Sequence, residues 1–312
     1  MKNKQFVHQF IRACFLYAFS ISGFLYAQAN SPQFNLESSI QWNRMELVST
    51  ASLDLTAVGL KLPTGRAHGE ELLDIEFPQI IAPYLFSVPI DSSSTVETAV
   101  QKGIISILDL DSLVSGAKKT PAVLDLEKNR LNRTYTLPLN NLVALLVHHH
   151  TLASLPRPLI PLQSQDYTGL VIFAQDPLPI HGRQSTALLV PCLFPKIWDS
   201  EMNLIYERNV VDPEIAKTRG IVQYTSADRV LLTSPSGIGP ELQTLIGTRP
   251  LRILADKVFG RLPTDPVIST ADAQRLLSSD NNRRLLAEGR VVIVIAPQLL
   301  LQKLTVAEPS TP

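Results

Sequence analysis

Between Ile40 and Thr56 the apolar positions Trp42, Met45, Leu47, Val48, Leu53 and Leu55 alternate imperfectly with polar ones, which predicts one long strand or a tight hairpin. The period changes after Pro63-Thr64-Gly65-Arg66. With Thr64 as N-cap, Leu72, Leu73, Ile75, Ile80 and Ile81 predict a helix bent or split at Pro78. Leu85 to Ile90 reads as a short strand. Asp91-Ser92-Ser93-Ser94-Thr95 then caps a helix beginning at Val96-Glu97, with Val100, Ile104, Ile105 and Leu108 on one side. Ala122 to Leu126 and Arg133 to Leu137 flank the polar Glu127 to Asn132 as a hairpin, and Leu139 to Leu155 reads as a helix.

Pro156, Pro158 and Pro161 interrupt the chain and cannot continue that helix. Beyond them, Gly169 to Ala174 is an apolar run of strand length. Ala187 to Trp198 is another, broken by Pro191 and Pro195, and Leu204 to Tyr206 suits an edge or hairpin strand. Asp212-Pro213-Glu214 starts a helix that stops by Gly220. Leu251 to Val258 alternates as a strand, and Ser269-Thr270-Ala271-Asp272 opens a helix running to about Leu286. Arg290 to Ala296, β-branched and unbroken, predicts a central strand, and the segment after Leu299 reads as a fraying tail.

Strand, helix, strand and hairpin follow one another without regular βαβ alternation. The expected class is therefore α+β: two compact domains, each a small, mainly antiparallel sheet with helices packed on one face. The division is a signal peptide over 1–29, a first domain over 30–155, a proline-rich linker over 156–166, a second domain over 167–298 and a flexible tail over 299–312.

Composition narrows the function classes. Hydrophobic residues make up 45% and charged residues 18%, while Lys+Arg and Asp+Glu are 28 each, so the chain offers no positive field for nucleic acid. Lys2 and Lys4 precede an apolar stretch that ends at Ala27-Gln28-Ala29, the pattern of a secretory signal with its peptidase site at Ala27 and Ala29. The expected address is the periplasm or outer envelope, with no transmembrane span after processing. Cleavage after Ala29 takes away Lys2, Lys4 and Arg12 and no acid, leaving a slightly acidic mature chain. It also removes Cys14, so Cys192 has no intramolecular partner and reads as a buried small hydrophobe.

No catalytic set emerges. There is no G-x-S-x-G. Gly237-Ile238-Gly239-Pro240 lacks the third glycine of a dinucleotide loop and carries a proline where a phosphate cradle would use an N–H. Asp109 and Asp111 have no spacing that marks an acid/base pair, and His181 sits in a turn-like Ile180-His181-Gly182-Arg183. His148-His149-His150 is the conspicuous cluster. Adjacent helical residues point about 100° apart, so three in a row read as the solvated end of a helix, with His148 and His150 the candidates for any metal. No cofactor is expected.

Ordered strings carry a resemblance. Ile90-Asp91-Ser92-Ser93-Ser94-Thr95-Val96-Glu97, then Leu113-Val114-Ser115-Gly116-Ala117-Lys118, then Tyr135-Thr136-Leu137-Pro138-Leu139 resemble the core of FlgP-like, LPP-type envelope proteins. Tyr167-Thr168-Gly169-Leu170-Val171-Ile172 and Asp265-Pro266-Val267-Ile268-Ser269-Thr270-Ala271-Asp272-Ala273 resemble a module appended in relatives of that family. Two departures stand out: no lipid-attachment cysteine is present, and Ile172-Phe173-Ala174-Gln175 replaces an I-D-A-R string. The resemblance implies compact α+β units and a non-enzymatic scaffolding role in the envelope, associated with flagella or motility, acting through protein partners and self-association. The competing expectation is a periplasmic small-molecule or metal-binding module.

Overall fold

The computed structural model of the chain describes residues 33–159, 163–231 and 240–305. The signal segment with Ala27 and Ala29, the centre of the proline-rich linker, Gly237 to Gly239 and the last seven residues lie outside the described residues. The fold is α+β with two compact units. One unit takes in residues 33–37, 50–83 and 120–134, the other 38–49, 84–119 and 135–305.

The first apolar alternation is a hairpin, β1 (Phe34–Gln41) and β2 (Glu46–Asp54), whose burial alternates residue by residue along β2. Met45 takes the left-handed conformation at its turn (φ 52°). β3 (Lys118–Lys119), β4 (Val123–Asp125) and β5 (Arg130–Pro138) follow, and the hairpin expected around Glu127 is β4–β5, paired antiparallel from Val123↔Asn132 to Asp125↔Arg130.

In the first unit, the helix Gly65–Phe86 is one run of 22 residues that carries both Pro78 and Pro83. The expected split at Pro78 is absent, and because the helix continues to Phe86 there is no strand from Leu85 to Ile90. Just before the helix, the Thr64 hydroxyl donates to the Lys61 carbonyl. Close approach locates the helix: a Cβ on Gly69 would stand 2.9 Å from Leu55 Cδ2 and 3.3 Å from Leu131 Cδ2. Buried Arg133 on β5 fixes its rotation, reaching Glu70 at 2.7 Å and Asp74 at 2.8 Å, one helical turn apart.

The second unit begins its helices where expected, at Val96, with Thr95 and Thr98 closing a reciprocal capping box. That helix ends at Gln101. Gly103, at φ +67°, turns the chain, and a separately capped helix, Ile107–Ser115, follows. The helix expected over Leu139 to Leu155 stops at Leu146, because Val147 leaves helical geometry (ψ 101°).

The remaining strands are β6 (Leu170–Ala174), β7 (Leu178–Pro179), β8 (Thr186–Ala187), β9 (Ile197–Asp199), β10 (Leu204–Tyr206), β11 (Gln223–Thr225), β12 (Leu251–Leu254), β13 (Lys257–Phe259), β14 (Asp265–Ile268), β15 (Val291–Ile295) and β16 (Leu301–Leu304). β16 pairs antiparallel with β1, from Ser38↔Leu304 to Gln41↔Leu301. The segment expected to fray from Leu299 is therefore ordered through Leu304, and Trp42 Nε1 donates to Gln302 Oε1 at 2.9 Å beside it.

Two four-stranded sheets build the C-terminal half, in the orders β10-β9-β14-β13 and β11-β15-β6-β12. In the second, β11–β15, β15–β6 and β6–β12 are all parallel, so this sheet departs from the expected antiparallel arrangement. Burial gives the reason. All five residues of β15 are inaccessible, and so are Leu170 to Ile172 of β6, so both faces are covered as a parallel sheet requires. On one face Val171, Val292 and Val294 pack with Val230, Leu242 and Ile246 from the helices Ala227–Leu231 and Pro240–Ile246. The continuous alternation from Leu251 to Val258 is divided between β12 and β13, one in each sheet, and the single helix expected after Ser269 is two, Thr270–Ser278 and Asp280–Ala287. No helix among the described residues is long and apolar enough to cross a membrane.

Candidate functional site

The sequence candidates do not converge. His148 and His150 are exposed on extended chain beyond the helix end, while His149 lies between them with its Nε2 2.9 Å from the Val211 carbonyl. Among the described residues no three His, Cys, Asp or Glu side chains gather as a metal ligand set. His181 is half-buried, its ring edge-on to Phe259 at 6.0 Å, and its Nδ1 has no hydrogen-bond partner. The exposed carboxylate of Asp109 accepts from the Ser106 hydroxyl and N–H, which hold it below the usual carboxylate range. It caps a helix.

Cys192 is fully buried, as its apolar neighbours predict. Burial first, then the charge of Asp265, pushes its thiol far up. Its backbone is clamped by Tyr224, whose hydroxyl accepts from Cys192 N–H at 3.1 Å and donates to Cys192 O at 2.9 Å. Asp265, inaccessible to solvent, opens the string Asp265 to Ala273 that carries the resemblance, with no spacing that marks it as a buried carboxylate. Its carboxylate accepts from Thr264 Oγ1 (2.9 Å), Lys196 N–H (3.2 Å) and Trp198 Nε1 (3.3 Å). Burial still raises it above the ordinary carboxylate value. The bonds from Lys196 and Trp198 tie β14 to the segment that leads into β9.

Two surfaces among the described residues stand apart from the core. The first opens the helix Ile107–Ser115: Leu110, Leu113 and Val114 are buried, whereas Ile107 is 66% and Leu108 79% exposed, with Ile104 beside them 46% exposed. Ser106 and Asp109 lock that helix start reciprocally, so the three apolar side chains are displayed from a fixed backbone.

The second is a polar cleft of about 340 Å³ where the chain enters the parallel sheet. One wall is a stripe of the helix Asp280–Ala287, with Asn281, Arg284 and Leu285, continued by Glu288. The others are Asp166 to Thr168 before β6, Arg249 before β12 and Arg290 before β15. No local motif announces it, because its arginines come from three segments. The readable trace is limited to the arginines just before β12 and β15.

Residues 33–145 match the family model of the N-terminal domain of Treponema pallidum Tp0624, and residues 169–297 match the model of its second domain. No curated protein matches the chain. Each match takes in less than half of the chain, and they occur in the order of the domains they describe: the displayed apolar residues fall in the first, and Arg249, Arg284 and Arg290 in the second.

Proposed function

We propose that the protein is a non-enzymatic, exported envelope protein with a scaffolding role, and that it self-associates through the apolar face of Ile104, Ile107 and Leu108. The display of three large apolar side chains on a rigidly capped helix start carries this reading, because such a face loses free energy for as long as it stays in water. The occupant is a second copy of the same chain. Exposed Lys102 and Asp111 precede and follow the apolar residues in the chain, and a twofold, antiparallel pairing would set each lysine toward the partner's aspartate. Acidic and basic residues are nearly balanced, so little long-range repulsion opposes the approach of two copies. Export rests on Lys2, Lys4 and the apolar stretch to Ala27-Gln28-Ala29, and the association with envelope or flagellar assemblies on the ordered strings from Ile90 to Leu139.

Light scattering on the processed chain tests the association. The expected result is a dimer or larger species that becomes monomeric in an Ile107→Asp/Leu108→Asp variant of unchanged thermal stability. A wild-type monomer at high concentration, with no copy or partner captured by cross-linking in cells, overturns it. Recovery of unprocessed chain in the cytosol overturns export, and unchanged motility after deletion removes the flagellar association.

A further inference from the structure

The arginine-lined cleft is built rather than incidental. Asn282, wholly buried, accepts the Tyr167 N–H at 2.9 Å and donates to the Gln165 carbonyl at 3.0 Å, which pins one wall to the helix that forms another. Thr168 Oγ1 donates to the Ile246 carbonyl at 2.7 Å and accepts the Arg249 N–H at 2.9 Å, so Arg249 is held from its own backbone. Such support fixes where the side chains start, the condition for a site that needs no large rearrangement to bind.

The charges in the cleft do not cancel. Three guanidinium groups face two carboxylates, and both carboxylates are occupied: Asp166 accepts Ser279 Oγ at 2.5 Å, and Glu288 accepts Arg290 Nε at 2.6 Å with Arg284 Nε 3.7 Å away. Among the described residues Arg249 has no ion-pair partner, and Arg290 uses only its Nε. Arg219 adds a fourth cation nearby, donating to the Glu288 carbonyl. Its guanidinium is held below the ordinary value by burial and then by the charge of Arg290, and Glu288, ion-paired with Arg290, is the anion that acts on both.

We propose that this cleft binds a small organic dianion, a phosphomonoester or a dicarboxylate, through the forked donors of Arg249, Arg284 and Arg290, with the Tyr167 hydroxyl as a neutral donor. Planar guanidiniums present paired N–H groups that match either oxyanion, and the volume is at the small end of small-molecule sites.

The test is calorimetric titration of the full processed chain with inorganic phosphate, with succinate and with glucose 6-phosphate, each at matched ionic strength against sodium chloride. Expected is saturable one-site binding that becomes about tenfold weaker or more when Arg249→Gln and Arg284→Gln remove two charged donors, in a variant whose melting temperature without ligand is unchanged. Mutual competition between phosphate and succinate assigns a general dianion site, and binding of one series alone assigns phosphoryl or carboxylate chemistry. Heats no larger than those of chloride, or binding that is equal in the variant, overturn the proposal. If the double variant unfolds, Tyr167→Phe gives the second reading: a loss confined to affinity supports the site, and unaltered affinity together with unaltered binding in Arg249→Gln alone overturns it.

Discussion

Gly169 stands at the entry to β6, against the last turn of the helix Pro240–Ile246. A Cβ added there would lie 2.5 Å from Ile246 Cβ, 2.6 Å from its Cα and 2.8 Å from its Cγ2. Comfortable carbon–carbon contact is about 3.5–4.0 Å, so strand and helix must part by about 1 Å. Neither has room. Ile246 is inaccessible within the cluster of Val171, Val292 and Val294, its carbonyl receives the Thr168 hydroxyl at 2.7 Å, and the Gly169 carbonyl receives Leu251 N–H at 2.9 Å. Overpacking costs about 1–3 kcal/mol, and a collision with backbone belongs at the top of that range. The glycine's greater freedom in the unfolded chain returns about 0.4–1 kcal/mol on Gly169→Ala, because Gly169 does not occupy the left-handed region. The net loss is about 2–3 kcal/mol, or about 5–10 °C in melting temperature for a unit of this size. Thermal and urea denaturation followed by circular dichroism measure it. A melting temperature within about 1 °C of wild type refutes the reasoning, and so does full restoration by Ile246→Ala, since alanine keeps the two closest colliding atoms.

Arg133→Ala in the first unit removes ion pairs at 2.7 and 2.8 Å; because Glu70 and Asp74 are each about a third exposed and rehydrate, the expected loss is about 2 kcal/mol by urea denaturation, with Arg133→Lys recovering part of it. Cys192 is expected to resist a thiol reagent at mildly alkaline pH in the native chain and to react at once in denaturant, since burial both shields the thiol and suppresses the thiolate. Asp265 has a folded value raised above its unfolded one, so the native state holds the proton more tightly and this group's contribution falls as pH rises from the unfolded value to the folded value, then levels. The urea midpoint of wild type relative to Asp265→Asn is therefore expected to decline between about pH 4 and the folded value; a difference that is constant or grows with pH contradicts that sign.

Local patterns carried as far as elements whose partners are local. The imperfect alternation that includes Leu47 and Leu53 marks β2, Asp212-Pro213 opens a helix, and the unbroken Val291 to Ile295 marks a strand buried on both sides. What could not be read is pairing between distant segments. β16 is a four-residue alternation beyond a proline, ordinary in isolation, and becomes a strand because β1, over 250 residues earlier, offers an edge from Ser38 to Gln41. The parallel sheet is likewise specified by segments around Leu170, Gln223, Leu251 and Val291, far apart in the chain, whereas the hairpins taken as its template are local. The error at Ile104 and Leu108 has a narrower cause. A helix continued from Val96 would bury them with Val100, but Gly103 in the left-handed region restarts the chain at Ser106 and leaves them outside.

The exposed apolar face and the arginine cleft have separate structural origins, and this separation can be used. The face exists because one glycine turn and one capping box reset a helix between Gln101 and Ile107. The cleft exists because Asn282 and Thr168, both engaged with main-chain groups, hold the entries to β6 and β12 against a different helix. No residue belongs to both, and the polar network around the cleft contains none of the residues from Ile104 to Asp109. Ile107→Asp/Leu108→Asp should therefore abolish self-association while leaving dianion affinity within about twofold, and Arg249→Gln/Arg284→Gln should do the reverse. Loss of both properties in either variant would mean that the two surfaces act as one, through an arrangement of copies in which the cleft is completed by its neighbour.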